Sequence, residues 1–359
     1  MPSSPDASPD GILITGANSF IGTHVIGLLQ QRWEGTIHLL LRAATQREAI
    51  AKMRQAFRQW ELGEFYAENF SIHTGDVTHP MMGLDTPAYH ALLKDTGTVL
   101  HLAINPMFSL PYAHFKRLWL PGLERMIAFC GDKKYPKSLH YPSTLSTGFF
   151  SEEDDFRRLD TNALLSGHTA FKWVAGMVLQ NAFSRGLRGC LYEIPAVLGT
   201  LEKGLCPAHY YMWHVMDIFL KTGLYTDFAF RVIPVDVLAE IMVANLIQDK
   251  QGKGSRFLRP APETPVTHKQ FGHTIASILG LRHATPEELR EAYTNKRQFD
   301  FIIPPGFNSL LGRVNAVPAV WPPGFNKQNL PPAAMAFLSN LNRTLAHTNM
   351  QKTVNTSTN

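Results

Sequence analysis

The sequence predicts an α/β fold, a doubly wound parallel sheet with a smaller, mostly helical lobe towards the C-terminus. Three observations predict it. Short apolar runs alternate with helix-length periodic segments, the pattern of parallel strands covered by helices on both faces. The first run, Gly11-Ile12-Leu13-Ile14-Thr15, enters a glycine turn that opens a helix. The motif-bearing residues Gly16, Asp76, Ala103 and Thr144 all fall just past strand ends, where such sheets bind ligands.

Taken in order, the first strand leads into Gly16-Ala17-Asn18-Ser19-Phe20-Ile21-Gly22 and then the apolar-periodic Val25, Ile26, Leu28 and Leu29. Gly16 permits positive φ, Gly22 lets helix and strand approach closely, and the free N–H groups of the helix face a pyrophosphate. This is a dinucleotide-binding turn of Rossmann type. The second strand, Ile37 to Leu41, ends at Arg42, about twenty residues past the glycines, where an acidic residue would select the free ribose hydroxyl of NAD. Arginine there favours a 2′-phosphate and therefore NADP(H).

Further strands are expected at Phe70 to His73, Thr98 to Leu102, Ser138 to Tyr141 and Cys190 to Ile194, with helices at Gln46 to Trp60, Tyr112 to Cys130 and Leu164 to Arg185. After Gly199, the aromatic and methionine-rich stretch Pro207 to Leu220 has helical spacing, more often a core stripe than a pocket. Val232-Ile233-Pro234-Val235-Asp236 reads as a strand end and helix cap, followed by a strand near Arg256 to Leu258 and a helix from Thr267 to Leu279. Thr285-Pro286-Glu287-Glu288 reads as the capped start of another helix, with acids near its positive end. Pro-Pro-Gly-Phe-Asn occurs at 304–308 and 322–326 and reads as two turns.

The expected organisation is a disordered N-terminus over 1–10, a nucleotide-binding domain over 11–200 with 228–248 returning to it, a substrate lobe from 201–227 and 249–347, and a disordered tail over 348–359.

With 359 residues and 45% hydrophobic content, the chain can bury a large core. A net charge of +5, with dispersed Lys and Arg, argues against nucleic acid. Three scattered cysteines, Cys130, Cys190 and Cys206, suit a reducing cytoplasm and neither a disulfide framework nor a metal cluster. No run is long enough to span a bilayer, no metal site is expected, and a monomer is the expected state.

The ordered set Thr15 to Gly22, Leu41-Arg42-Ala43, Gly75-Asp76-Val77 with Gly83-Leu84, His101-Leu102-Ala103, Leu139 to Ser146, Phe171 to Ala175 and Ile233 to Asp236 resembles the extended short-chain dehydrogenase/reductases. Within them it resembles the thioester reductase domains of carboxylic acid reductases and of nonribosomal peptide and polyketide synthetases. The resemblance covers roughly residues 11 to 248. It implies cofactor contacts from Thr15, Gly16, Asn18, Ser19, Phe20, Ile21, Gly22 and Arg42, from Asp76 and Val77 along the adenine, and from Leu102, Ala103 and Ile104. It further implies that Lys172 holds the nicotinamide ribose, that Pro195 and Val197 border the nicotinamide, and that the Thr144 hydroxyl polarises the reacting carbonyl. Asn105, Tyr211, Trp213 and His214 become candidates to touch the substrate.

The departures are as informative. The family pattern has glycine at Ser19, tyrosine at His168, serine at Phe171, glutamate at Gly176 and arginine at Glu193, and its asparagine in the helix after the fourth strand is replaced, with Trp119 the expected occupant. His168 and Lys172 keep the one-turn spacing of the family's Tyr and Lys. The nearby ammonium is expected to leave the imidazole neutral, a hydrogen-bond donor and a base but a weak proton source.

Three readings follow. NADPH-dependent reduction of an acyl thioester to an aldehyde or alcohol needs hydride delivery and an oxyanion partner, which Thr144 and His168 can supply. Dieckmann-type cyclisation of a thioester-bound chain would use His168 as base. A non-catalytic, NADP-binding role would leave His168 merely packed. The thioester is expected in trans, on a separate carrier protein or coenzyme A, with Lys133, Lys134, Arg117 or Arg313 receiving it.

Overall fold

The computed structural model describes residues 9–104, 110–145, 167–201, 203–207, 210, 219, 222–226, 232–251, 257–258, 260 and 280–295. Seven strands, β1 (Gly11–Thr15), β2 (Ile37–Leu41), β3 (Ser71–Thr74), β4 (Thr96–His101), β5 (Ser138–Thr144), β6 (Arg188–Ile194) and β10 (Phe257–Leu258), form one parallel sheet in the order β10-β6-β5-β4-β1-β2-β3. The chain builds β1, β2 and β3 outwards, then crosses back to place β4 on the other side of β1. That reversal opens a crevice at the carboxyl ends of β1 and β4.

Alternation along each strand sends side chains to two cores. Ile12 and Ile14 join the core beneath α1 (Phe20–Arg32), α2 (Gln46–Gln59) and α7 (Val235–Lys250). Leu13, Val99, Leu139 and Tyr141 join the core beneath α3 (Thr86–Asp95), α4 (Tyr112–Leu118), α5 (Leu120–Cys130) and α6 (Gly167–Ser184). Strands buried on both faces need the near-continuous apolar runs seen in the sequence.

The structure differs from the sequence-based expectation in four places. The single helix expected over Tyr112 to Cys130 divides at Trp119, because Pro121 sits in the first turn of α5 and has no N–H to continue α4. β5 runs on to Thr144 beside β6. The strand before α7, β9 (Val232–Pro234), pairs with β7 (Ala196–Leu198) in a separate ladder. Phe257–Leu258, in the stretch assigned to the substrate lobe, instead edges the main sheet beside β6.

Beyond them, β8 (Leu224–Tyr225) pairs with β11 (Arg282–His283), and α8 (Pro286–Asn295) begins with a reciprocal cap. The Glu288 amide donates to Thr285 Oγ1 and the Thr285 amide to Glu288 Oε2. The helix expected at 267–279, the two Pro-Pro-Gly-Phe-Asn turns, the N-terminal residues 1–8 and the tail lie outside the described residues.

Candidate active site

The turn after β1 has the shape the sequence predicted. Gly16 has φ +69°, and a Cβ there would lie 2.7 Å from the Leu102 carbonyl carbon and 2.8 Å from the Ala103 nitrogen, so the turn presses against the segment leaving β4. Gly22 is equally constrained, since a Cβ would lie 2.5 Å from the Gly16 carbonyl oxygen. Ser19, where the family has glycine, adopts extended geometry and caps α1, accepting the Gly22 amide at 3.1 Å. The first turn of α1 holds no acidic residue, so its positive end is open to an anion.

Around this turn the predicted residues divide by what they can offer. Phe20 packs its ring 4.7 Å from Trp60 and 5.3 Å from Tyr210, leaving only its backbone for a ligand, whereas Asn18 is exposed. At the end of β2, Arg42 is exposed, forms no ion pair among the described residues, and gives only its carbonyl to Lys52 at 2.6 Å. Asp76 turns the chain after β3 by accepting the Thr78 amide and hydroxyl, both at 2.8 Å. Val77 is buried against α5, so it too presents backbone. Leu102 is buried, while Ala103 and Ile104 are half-buried.

The reacting end is built by β5 and α6. Lys172 is buried and its ammonium donates to the Pro142 carbonyl at 2.6 Å and to the Tyr141 hydroxyl at 3.2 Å. One turn earlier on α6 stands His168, buried with its ring edge-on to Phe115 of α4 at 5.8 Å. Gly167 has no room for a side chain, because a Cβ would lie 2.2 Å from the Leu110 carbonyl. Close contact with the start of α4 therefore fixes the start of α6. Four helical residues advance His168 about 6 Å along α6 from Lys172, and two strand residues advance Thr144 about 6.6 Å along β5 from Pro142. Both lie crevice-ward of the ammonium. Thr144 is half-buried opposite Ile194, and the buried Pro195 follows at the end of β6, with Val197 buried in β7.

Electrostatics refine the expectation for His168. Its pKa is lowered to about 3 first by burial, and only secondarily by Lys172. The imidazole is therefore held neutral, and burial disfavours the charged form that proton abstraction by His168 would generate. Burial also draws Lys172 down to about 7.

Two residues to which no motif assigned a role complete the site. His101, fully buried and held neutral at about 3 by burial and then by Lys172, places Nδ1 2.7 Å from the Thr15 hydroxyl. Tyr141 stands between His101 and Lys172. Asn105, Tyr211, Trp213, His214 and Arg313 lie outside the described residues. Among the basic candidates, Lys133 and Lys134 precede the amino end of β5, about 20 Å of strand from Thr144, on the wrong pole for delivery into the crevice. A cavity of about 630 Å³ lined by Lys133, Lys137, Arg185 and Arg188 belongs to that same pole. Arg117 is exposed on α4, the helix that touches His168. Among the described residues, no His, Cys, Asp and Glu group of three or more could hold a metal, and no helix is long and apolar enough to cross a membrane.

A Rossmann-type sheet with a glycine turn at its reversal and a buried lysine beyond its fifth strand defines a nucleotide-dependent reductase fold. More particularly, the chain belongs to the NAD-binding family described as male sterility protein, whose pattern matches residues 14–242. It is 30% identical over 242 residues to a component of the linear gramicidin synthase of Brevibacillus parabrevis, covering 64% of this chain and 5% of that protein. It is 23% identical over 269 residues to the L-2-aminoadipate reductase large subunit of Eremothecium gossypii, covering 68% of this chain and 19% of that one. The chain thus spans a small part of these curated relatives. The fold matches the reductase domain of a nonribosomal peptide synthetase from Mycobacterium tuberculosis, with TM-score 0.71 and 16% identity over 95% of this chain and 93% of that one.

Proposed function

We propose that the chain is an NADPH-dependent reductase that converts an acyl thioester, carried by a separate carrier protein or by coenzyme A, to an aldehyde in natural-product biosynthesis in the cytoplasm. The observation that carries this reading is the convergence of the glycine turn, the Arg42 strand end, Thr144 and Lys172 on one crevice. The turn fits a dinucleotide: a Cβ would fill the space at Gly16 and Gly22, and no acid opposes an anion at the start of α1. The Gly16 to Gly22 turn would hold the pyrophosphate, Asp76 and Val77 the adenine side, Arg42 the 2′-phosphate, and Lys172 the nicotinamide ribose.

When bound, the nicotinamide supplies the hydride that adds to the thioester carbonyl carbon. The Thr144 hydroxyl and the neutral His168 N–H donate to the oxygen as it gains negative charge. Lys172 fixes the ribose and adds a positive field. Collapse of the resulting tetrahedral species expels the thiol and leaves the aldehyde, with one proton from solvent balancing the reaction. His168 acts as donor rather than base, in keeping with its depressed basicity.

Titration with NADPH and with NADH, followed by incubation with an acyl thioester, tests the reading. Tighter binding of NADPH, its consumption, and release of thiol and aldehyde are expected. Thiol release with a cyclic product and no nucleotide would instead establish cyclisation, and neither binding nor turnover would establish a non-catalytic role. His168→Tyr should preserve or raise reductase activity, an outcome incompatible with His168 as an essential base.

A further inference from the structure

Lys172 is a buried cation with no carboxylate partner among the described residues, and what surrounds it comes from β5. Tyr141 alternates with Leu139 onto the face that α6 covers. Its ring centre lies 4.3 Å from the Lys172 ammonium, and its hydroxyl oxygen accepts from that ammonium at 3.2 Å. The next residue supplies the third contact: Pro142 accepts at 2.6 Å, past the point where pairing of β5 with β4 stops at His140. A ring face and two oxygen acceptors favour a desolvated ammonium over the neutral amine.

Tyr141 is itself braced. Its ring lies 5.8 Å from that of His101, whose Nδ1 is 2.7 Å from the Thr15 hydroxyl, and Thr15 Oγ1 accepts the Ala103 amide at 3.2 Å. Thr15, His101, Tyr141 and Lys172 are all buried, and they form a line from the strand of the glycine turn, through β4 and β5, to α6.

We propose that Tyr141 is a positioning residue for Lys172: its ring and phenol oxygen, with the Pro142 carbonyl, hold the ammonium charged and leave its third N–H directed to the crevice. The use of that third N–H on a nicotinamide ribose rests on the reductase reading; the clamp itself does not. An ammonium has three N–H donors, and two are committed here. The titratable groups facing it are His101 from β4, Tyr141 from β5 and His168 from α6; burial holds both histidines neutral at about 3 and raises Tyr141.

Carbon-13 NMR of protein labelled at lysine Cε, with the Lys172 resonance assigned by its loss in Lys172→Arg, measures the clamp directly. Tyr141→Phe keeps the ring and removes the oxygen, and should lower the Lys172 titration midpoint by about half a pH unit or more; Tyr141→Leu should lower it further, by about one unit. An unchanged midpoint in Tyr141→Phe overturns the proposal, and that comparison decides even if the leucine variant fails to fold. A parallel NADPH titration should show Tyr141→Phe losing affinity at lower pH than wild type. A wild-type protein with the expected Lys172 midpoints across the variants but no NADPH binding would sink the reductase reading while the clamp stood.

Discussion

His140 and Tyr141 are neighbours on β5 and face opposite sides of the sheet, and each enters a buried polar cluster, but only one cluster contains a carboxylate. His140 is 3.1 Å from Asp249 Oδ2 and 2.7 Å from the Tyr192 hydroxyl, Asn245 donates to Tyr192 at 3.0 Å, and Ser138 donates to Asp249. Donors and acceptors from β5, β6 and α7 are matched there, so the cluster ties α7 to the sheet. Across the strand, Lys172 has only neutral partners among the described residues, and burial draws its pKa down to about 7. A compensated cluster stabilises, whereas an uncompensated buried cation is a cost to the fold, and the proposed ribose contact of Lys172 gives that cost a use.

The largest effect should come from the uncompensated side. Lys172→Met is expected to lower NADPH-dependent turnover by about 10²–10⁴-fold, measured by absorbance, without loss of the fold. Because the folded-state pKa of Lys172 lies below its unfolded value, wild type gains stability as pH rises from about 7 towards the ordinary lysine pKa. The methionine variant lacks that gain, so its advantage in urea unfolding should be greatest below pH 7. A constant difference across pH would show that Lys172 is not desolvated.

The compensated side should respond in stability alone. Asp249→Ala strands His140 and Ser138 and should cost about 2–3 kcal/mol in urea unfolding, with turnover retained below the melting temperature. Burial alone would raise the Asp249 pKa, but the His140 and Ser138 hydrogen bonds and the charges of His140 and Arg188 hold it down. Its contribution is therefore present above about pH 4 and lost as pH falls through the folded value, so the variant should have a flatter acid limb.

Smaller changes probe the same division. Arg42→Ala should weaken NADPH by roughly tenfold or more, the worth of one charge-assisted contact, and leave NADH binding unchanged. Tyr192→Phe, which removes the oxygen joining His140 to Asn245, should cost about 1 kcal/mol of stability and leave cofactor affinity alone. If Tyr192→Phe altered NADPH binding, the two clusters would not be separate.

The fold around the turn was legible because its signals are local. The apolar run of β1, the glycines and the periodicity of α1 lie within one stretch, and the ends of β2, β3 and β4 could be placed to within a residue by the same kind of pattern, whereas β5 runs past its expected end at Tyr141 to Thr144. The break at Trp119 was missed, although Pro121 carries a local signal for it. The polar clusters were not legible. Thr15 meets His101 across 86 residues of sequence and His140 meets Asp249 across 109, and single-sequence periodicity does not encode such pairs. Strand alternation could have put Tyr141 on the face of Leu139, but not beneath Lys172. His168 was readable as a neutral imidazole, yet the main cause of its neutrality, burial behind Phe115, depends on how α4 meets α6.

The most direct measurement is of where the hydride goes. With NADPH deuterated at the transferable C4 position and an acyl thioester as substrate, deuterium is expected on the aldehyde carbon, together with one equivalent of free thiol. Thiol release with the label still on the nucleotide, and a product formed without reduction, would contradict the reductase reading.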